Sequence, residues 1–97
     1  MLPPMARRIM QYFESIEAAD GKARRMDLLR IAGNEANLNR MISYLESQKL
    51  MVESKDGEGR VYYSKTDLGE KLHALLKGLE YFDSPLKDLG KRRISQS

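Results

Sequence analysis

The sequence contains no cysteine and only one histidine, His73. Disulfide bonds and zinc–thiolate sites are therefore excluded. His73 lies among leucines in a helical stretch, with no second histidine or carboxylate cluster at metal-ligand spacing, so the sequence predicts neither a metal site nor a cofactor. Phosphate-binding glycine–lysine loops and the sharp turns that present nucleophilic serines are also missing, and we do not expect an enzyme.

Long apolar stretches are absent as well. No run approaches the roughly 18–20 apolar residues that cross a bilayer, and the start, Met1-Leu2-Pro3-Pro4, lacks the charged-then-apolar order of a secretory signal. We therefore expect no membrane association and a cytoplasmic location. With 97 residues, 41% of them hydrophobic, the chain has the length of one domain with a modest core. The net charge of +3 suits nucleic acid binding but does not by itself indicate it.

Proline is scarce, and Pro3 and Pro4 precede an amphipathic stretch, where a helix start tolerates them. A second helix is predicted from about Ala23 to Ala32, and a third from its N-cap Asn34 to about Gln48. Two helices separated only by Gly33-Asn34 predict a helix-turn-helix. The residues predicted to face the core are Met5, Ile9, Tyr12, Phe13 and Ile16 in the first helix, Met26, Leu28, Leu29 and Ala32 in the second, and Leu38, Met41, Ile42 and Leu45 in the third.

The hydrophobic period changes after Lys49. Leu50 to Ser54 and Arg60 to Ser64 are predicted strands around a glycine-rich tip, and Thr66 or Asp67 is the predicted cap of a fourth helix. The order helix, helix, helix, hairpin, helix predicts a mostly helical α+β fold, a winged helix-turn-helix. We divide the chain into a winged domain over 4–66, a C-terminal helix over 67–89 and a mobile basic tail over 90–97.

The third helix is the candidate reading element, because the second helix of a helix-turn-helix enters the DNA major groove. Its outward side is polar and nearly free of acidic residues, with Arg40 suited to guanine and Asn37 to adenine or phosphate. The alternative is that this is simply a solvated helix face. The candidate DNA-binding residues of this helix are Asn34, Ala36, Asn37, Asn39, Arg40, Ser43 and Tyr44.

Two further basic regions flank this helix. Arg24 and Arg25 open the second helix, whose N-terminus favours a phosphate, although a basic run also serves solubility alone. Lys55 and Arg60 flank the hairpin tip and are candidates for contact with the DNA backbone. The acidic tip residues argue against deep insertion into the minor groove, and an ordinary tight hairpin is the alternative.

The fourth helix carries a leucine stripe that is long for so small a domain, and exposed apolar stripes mark interfaces. We predict a homodimer through this helix, which would set two reading helices about one DNA turn apart or a multiple of it. The alternative is that the stripe folds back on the first helix. The candidate interface residues are Leu72, Leu75, Leu76, Leu79 and Phe82.

From Arg8 to Phe82 the sequence resembles small archaeal winged-helix proteins, the chromatin-associated DNA-binding proteins that dimerise through a C-terminal helix. The resemblance rests on Asn34 at the start of the third helix, the run from Met41 to Met51, the tyrosine-rich strand from Val61 to Thr66, and Leu68-Gly69. Lys49 stands where relatives prefer glycine, and the final helix is shorter than theirs. The resemblance implies DNA binding, with Asn37, Arg40 and Tyr44 on the recognition helix.

Three functions remain open at this point. The chain is a sequence-specific transcription regulator, a sequence-blind chromatin protein associated with the nucleoid, or a winged helix that binds proteins instead of DNA. A protein-binding helix would present an acidic or apolar face, whereas this face is polar and carries Arg40. Double-stranded DNA is therefore the favoured partner.

Overall fold

The computed structural model describes residues 2–80 and has the predicted winged helix-turn-helix architecture. Three helices are followed by a hairpin, and residues 67–80 are again helical; we name this last segment α4. Asn34 caps α3 as predicted, because its side-chain oxygen accepts a hydrogen bond from the Asn37 backbone at 2.8 Å. The other elements are α1 (Pro4–Ala18), β1 (Ala23–Arg24), α2 (Arg25–Ala32), α3 (Glu35–Ser47), β2 (Met51–Lys55) and β3 (Val61–Lys65).

The sheet has three antiparallel strands in the order β1-β3-β2, one more than predicted. The second helix was predicted to begin at Ala23, but Ala23 and Arg24 pair with Tyr63 and Tyr62 of β3. Ala23 is fully buried by this pairing, and α2 begins only at Arg25. Two residues are too short a segment to show a strand period, so only the pairing itself reveals β1. The hairpin strands each begin one residue later than predicted.

The core lies where the first three helices meet the sheet. Tyr12, Phe13 and Ile16 of α1 pack with Leu38 and Leu45 of α3, all of them at most 1% exposed. Two predicted core residues are instead exposed, Met5 at 55% and Met26 at 63%. Met26 lies about 200° around α2 from the buried Leu28, because a helix turns about 100° per residue. Met5 lies in the first turn of α1, at the rim of a groove.

Close backbone contacts dock the start of α4 on the turn between α3 and β2. The Thr66 hydroxyl donates to the Lys49 carbonyl at 2.6 Å and accepts from the Gly69 backbone at 3.0 Å, which confirms Thr66 as the cap. The Thr66 backbone donates to the Leu50 carbonyl at 3.1 Å. Gly69 is buried over that carbonyl, which a Cβ at this position would overlap. A glycine here therefore sets how closely α4 approaches the winged domain.

A polar cluster attaches the next turns of α4 to α1 and β3. The Lys65 ammonium lies 2.7 Å from Nδ1 of His73, and the Lys77 ammonium donates to the Glu17 carboxylate at 3.0 Å. His73 is 2% exposed, and its ring lies 5.5 Å from that of Phe13. Burial lowers the pKa of His73, and the charge of Lys65 lowers it further. His73 is therefore a neutral packing residue at pH 7, and its burial joins α4 to the core.

Candidate nucleic-acid interface

Helix α3 presents a row of four exposed side chains to solvent: Ala36, Arg40, Ser43 and Ser47. These positions follow at steps of three and four residues, so they share one side of the helix, opposite the buried Leu38, Ile42 and Leu45. No carboxylate lies in the row, and we call it the reading row. An exposed helix side of this composition has the shape and donors that a DNA major groove accepts.

Arg40 is the one long cation of the reading row, and it is held close to its own helix. Its Nη2 donates to the Asn37 side-chain oxygen at 2.8 Å, and its Nε lies 3.4 Å from the Ala36 carbonyl. Asn37 in turn donates to the Ala32 carbonyl at 3.3 Å, so it is anchored to the end of α2. Asn37 therefore positions Arg40, and its amide is engaged within the chain. Tyr44 lies on the same flank of α3 and is 42% exposed.

Arg25 is occupied by side chains of α3. Its Nη2 donates to the Glu35 carboxylate and to the Asn39 side-chain oxygen, each at 2.5 Å. A phosphate would have to replace Glu35 to reach this guanidinium. The structure therefore places the predicted residues Arg25 and Asn39 in a hydrogen bond that connects α2 to α3. The sequence does not predict Glu35 as the partner of Arg25, because nothing in the spacing relates positions ten residues apart in two different helices.

Arg24 is exposed at the N-cap of α2. Its backbone N–H donates to the Asp27 carboxylate at 3.0 Å, which satisfies part of the helix start. Its guanidinium is among the predicted phosphate donors at this helix N-terminus.

The wing tip is held by its own acidic residues. The Asp56 carboxylate accepts hydrogen bonds from the backbones of Glu58 and Arg60, both at 2.9 Å. The bond from the Arg60 backbone is the main cause that lowers the pKa of Asp56. The Arg60 side chain pairs with Glu58 and lies 3.5 Å from Asp56. Arg60 therefore reaches a phosphate only by exchanging these carboxylates, whereas Lys55 is exposed at the end of β2.

The predicted interface stripe of α4 divides into two sides. Leu76 is 6% exposed in the core of its own chain, and Leu72 is half-buried against that core, so neither belongs to a free face. Leu68, Leu75 and Leu79 are 52%, 59% and 51% exposed and lie in one row. Burial of one side follows from the docking of α4 on α1 and β3. Phe82, residues 81–89 of the predicted helix and the tail over 90–97 lie outside the described residues.

Two other kinds of site are not found among residues 2–80. No group of three histidine, cysteine or acidic side chains is arranged to hold a metal ion there. None of the described helices combines the length and apolar character needed to cross a membrane.

Comparison with solved structures shows the fold. The DNA-binding protein Sso10a-2 from Sulfolobus solfataricus has a TM-score of 0.65 at 16% identity, over 91% of this chain and 92% of that protein. MepR, a transcription regulator of the Staphylococcus aureus multidrug efflux pump MepA, has a TM-score of 0.65 at 18% identity, and this chain spans 63% of its length. The match covers 90% of this chain.

The adhesin competence repressor AdcR from Streptococcus pyogenes has a TM-score of 0.58 at 16% identity, over 91% of this chain and 66% of that one. No protein-family model matches the sequence. The curated proteins contain no significant sequence relative. The predicted fold is confirmed by these likenesses, which are those of winged-helix proteins described as DNA-binding or regulatory.

Proposed function

We propose that this chain binds double-stranded DNA as a transcription regulator, with α3 in the major groove and the wing on the adjacent backbone. The observation that carries the proposal is the reading row: four exposed residues on one side of α3, free of carboxylates and including Arg40. Arg40 can exchange its bonds to Asn37 and to the Ala36 carbonyl for two bonds to guanine, because a guanidinium matches that base edge. The named functions of Sso10a-2, MepR and AdcR support the same proposal.

The wing and the start of α2 supply the non-specific part of the affinity. Lys55 and Arg24 are exposed cations on the hairpin and at the N-cap of α2. Contacts of this kind position a protein on DNA without reading sequence, and they make binding sensitive to salt. We infer that Lys55 contributes more than Arg60, since Arg60 must first leave Glu58 and Asp56.

The exposed row of Leu68, Leu75 and Leu79 supports a homodimer through α4. Three half-exposed leucines on one side of a helix are stabilised when a second copy covers them, at roughly 25 cal/mol for each Å² of apolar surface removed from water. Two copies would present two reading rows to one face of a duplex, at a spacing set by the dimer.

A sequence-blind chromatin binder is the second candidate. Three of the four residues in the reading row are alanine or serine, whose short side chains read few base edges. This composition supports binding through the backbone, with Arg40 as the only long group of the row.

Fluorescence anisotropy separates these candidates. A labelled random duplex and a duplex from a selected pool are each titrated at several salt concentrations. Preference for the selected site by about a thousandfold or more supports the regulator, and equal binding with a steep loss of affinity in salt supports the chromatin protein. Absence of binding to both duplexes at low salt would refute DNA binding altogether.

A further inference from the structure

We propose that a groove between α1 and α3 holds a segment of the DNA sugar–phosphate backbone and that Arg8 is a further DNA-contact residue; this inference rests on the proposed function. The groove has a volume of about 420 Å³ and opens beside the reading row. Met5, Arg8 and Tyr12 line it from α1, and Asn37, Arg40 and Met41 line it from α3.

The charge of the groove is of one sign. Two guanidinium groups and no carboxylate line it, and no acidic side chain among residues 2–80 lies within ion-pair distance of Arg8 or Arg40. The first turn of α1 also contains no acidic residue. The groove on the other side of α1 differs, because Arg30 shares it with the carboxylates of Glu14 and Asp27. A phosphate is therefore complementary to the first groove and not to the second.

The other lining groups suit the remaining parts of a nucleotide backbone. Met5 is 55% exposed, and with the half-buried Met41 it offers apolar contact to a deoxyribose. The Tyr12 side chain is 1% exposed and lines the inner wall of the groove. Burial raises the pKa of Tyr12, against the opposing charge of Arg8, so the hydroxyl keeps its proton and can donate to an anion.

Continuity with the reading row selects DNA as the occupant. Arg40 belongs both to that row and to the groove, so a backbone that enters the groove belongs to a duplex lying across α3. Arg8 then binds a phosphate on the side of α3 that faces α1, which neither the wing nor α2 covers. This contact extends the interface to a third helix.

The test compares Arg8→Gln with Arg7→Gln, because Arg7 is also an exposed cation on the same helix but does not line the groove. Both variants are titrated with a random-sequence duplex across a range of salt concentrations. Loss of one phosphate contact reduces the steepness of log affinity against log salt by about 0.9, so a variant that matches the wild type at 1 M salt binds about eightfold more weakly than the wild type at 0.1 M salt. We expect this loss for Arg8→Gln and a smaller one for Arg7→Gln.

A second pair places charge in the groove without removing an arginine. Met5→Glu should weaken DNA binding several-fold more than Met5→Gln, since only the glutamate repels a phosphate. Equal slopes for the two arginine variants, or equal affinities for the two Met5 variants, would overturn the inference. The proposed function would stand in either case, provided that the wild-type protein binds DNA. Wild-type protein that binds no DNA would instead refute the proposed function. Titration with inorganic phosphate tests for a small anion, because its binding would shift the Met5 and Tyr12 signals in NMR spectra. Such shifts, together with unchanged DNA binding by Arg8→Gln, would assign the groove to a small anion and also overturn the inference.

Discussion

Lys49 adopts a left-handed backbone conformation, with φ +59°, at the end of α3. This conformation lets the Leu50 backbone donate to the Leu45 carbonyl at 2.9 Å, which closes the helix and turns the chain into β2. Residues with a Cβ adopt this region at a cost of about 1–2 kcal/mol, and glycine does not bear it. The resemblance to the archaeal proteins implies glycine as the preferred residue here, and Lys49 makes the turn at a cost.

We therefore expect Lys49→Gly to raise the free energy of unfolding by about 0.5–1 kcal/mol. The gain is smaller than the relieved strain because glycine also has more freedom in the unfolded chain. Urea denaturation gives the change, with Gln48→Gly as the control, since Gln48 has φ −86° and should lose stability. A lower unfolding midpoint for Lys49→Gly would show that the turn is not strained.

Arg40 is the residue of the reading row with the largest expected effect on DNA binding. Arg40→Ala should cost about 1–3 kcal/mol of binding free energy at a selected site if Arg40 reads a base, and it should relax the preference at that base. Arg30→Ala is the control, because Arg30 lies in the groove between α1 and α2. Anisotropy at constant salt measures both variants. Equal affinity of Arg40→Ala and wild type for the selected site would show that Arg40 does not read a base.

At the scale of elements, the backbone of α4 approaches the α3–β2 turn so closely that only glycine fits at position 69. A Cβ there would overlap the Leu50 carbonyl, which already accepts a hydrogen bond from Thr66. Gly78, in the same helix, has no atom within 4 Å of the position that a Cβ would take. The two glycines therefore have opposite consequences for stability.

Gly69→Ala should destabilise the domain by about 1–3 kcal/mol, because α4 must move off the turn. Gly78→Ala should stabilise it by about 0.5–1 kcal/mol through helix propensity. Thermal unfolding followed by circular dichroism compares them directly. If both substitutions raised the melting temperature, the close docking of α4 would be wrong.

At the scale of the whole molecule, the exposed leucines of α4 decide the oligomeric state that we propose. Leu75→Glu should convert a dimer to a monomer in light scattering, because it buries a charge in the interface. The winged domain should remain folded, since Leu75 is 59% exposed within the monomer. Ala74→Glu is the matched control, one position along the helix and also exposed. A Leu75→Glu protein that remains dimeric would place the interface elsewhere.

The buried cluster around His73 gives the fold a specific dependence on pH. The Lys65 ammonium donates a hydrogen bond to Nδ1 of His73, so the proton of the neutral ring is on Nε2. Nε2 has no hydrogen-bond partner among residues 2–80. A second proton would place a charge beside Lys65 and Lys77, although Glu17 and Glu70 oppose this effect. The pKa of His73 is therefore below 6.5 in the folded chain.

Because the unfolded chain takes up this proton first, stability should fall as the pH drops from about 6.5, by at most about 1.4 kcal/mol per pH unit, and level off below the folded pKa. His73→Gln should lack this component, which begins as the pH falls below 6.5. Urea unfolding at several pH values measures it, and the window lies above that of the carboxyl groups of Glu17 and Asp56, whose pKa values are lowered. Parallel curves for the two proteins would contradict this role of His73.

The sequence by itself determined the order of the helices and the hairpin, the cap at Asn34 and most of the core of α1 and α3, and it narrowed the cap of α4 to Thr66 or Asp67. These features depend on residues within a few positions of one another, where helical spacing and turn chemistry act directly. The proposal that α3 is the reading helix rests on the same local information. Its exposed row contains the predicted residues Ala36, Arg40 and Ser43.

Only the tertiary structure decided which of the predicted residues are exposed and which are paired or buried within the chain. The pairing of Ala23 with Tyr63, the hydrogen bond from Arg25 to Glu35 and the burial of Leu76 each join segments that are distant in sequence, so no local period encodes them. The leucines of α4 illustrate the reason. All of them recur at helical spacing, but the docking of the helix on α1 and β3 buries only one side, and Leu68, Leu75 and Leu79 on the other side stay about half exposed.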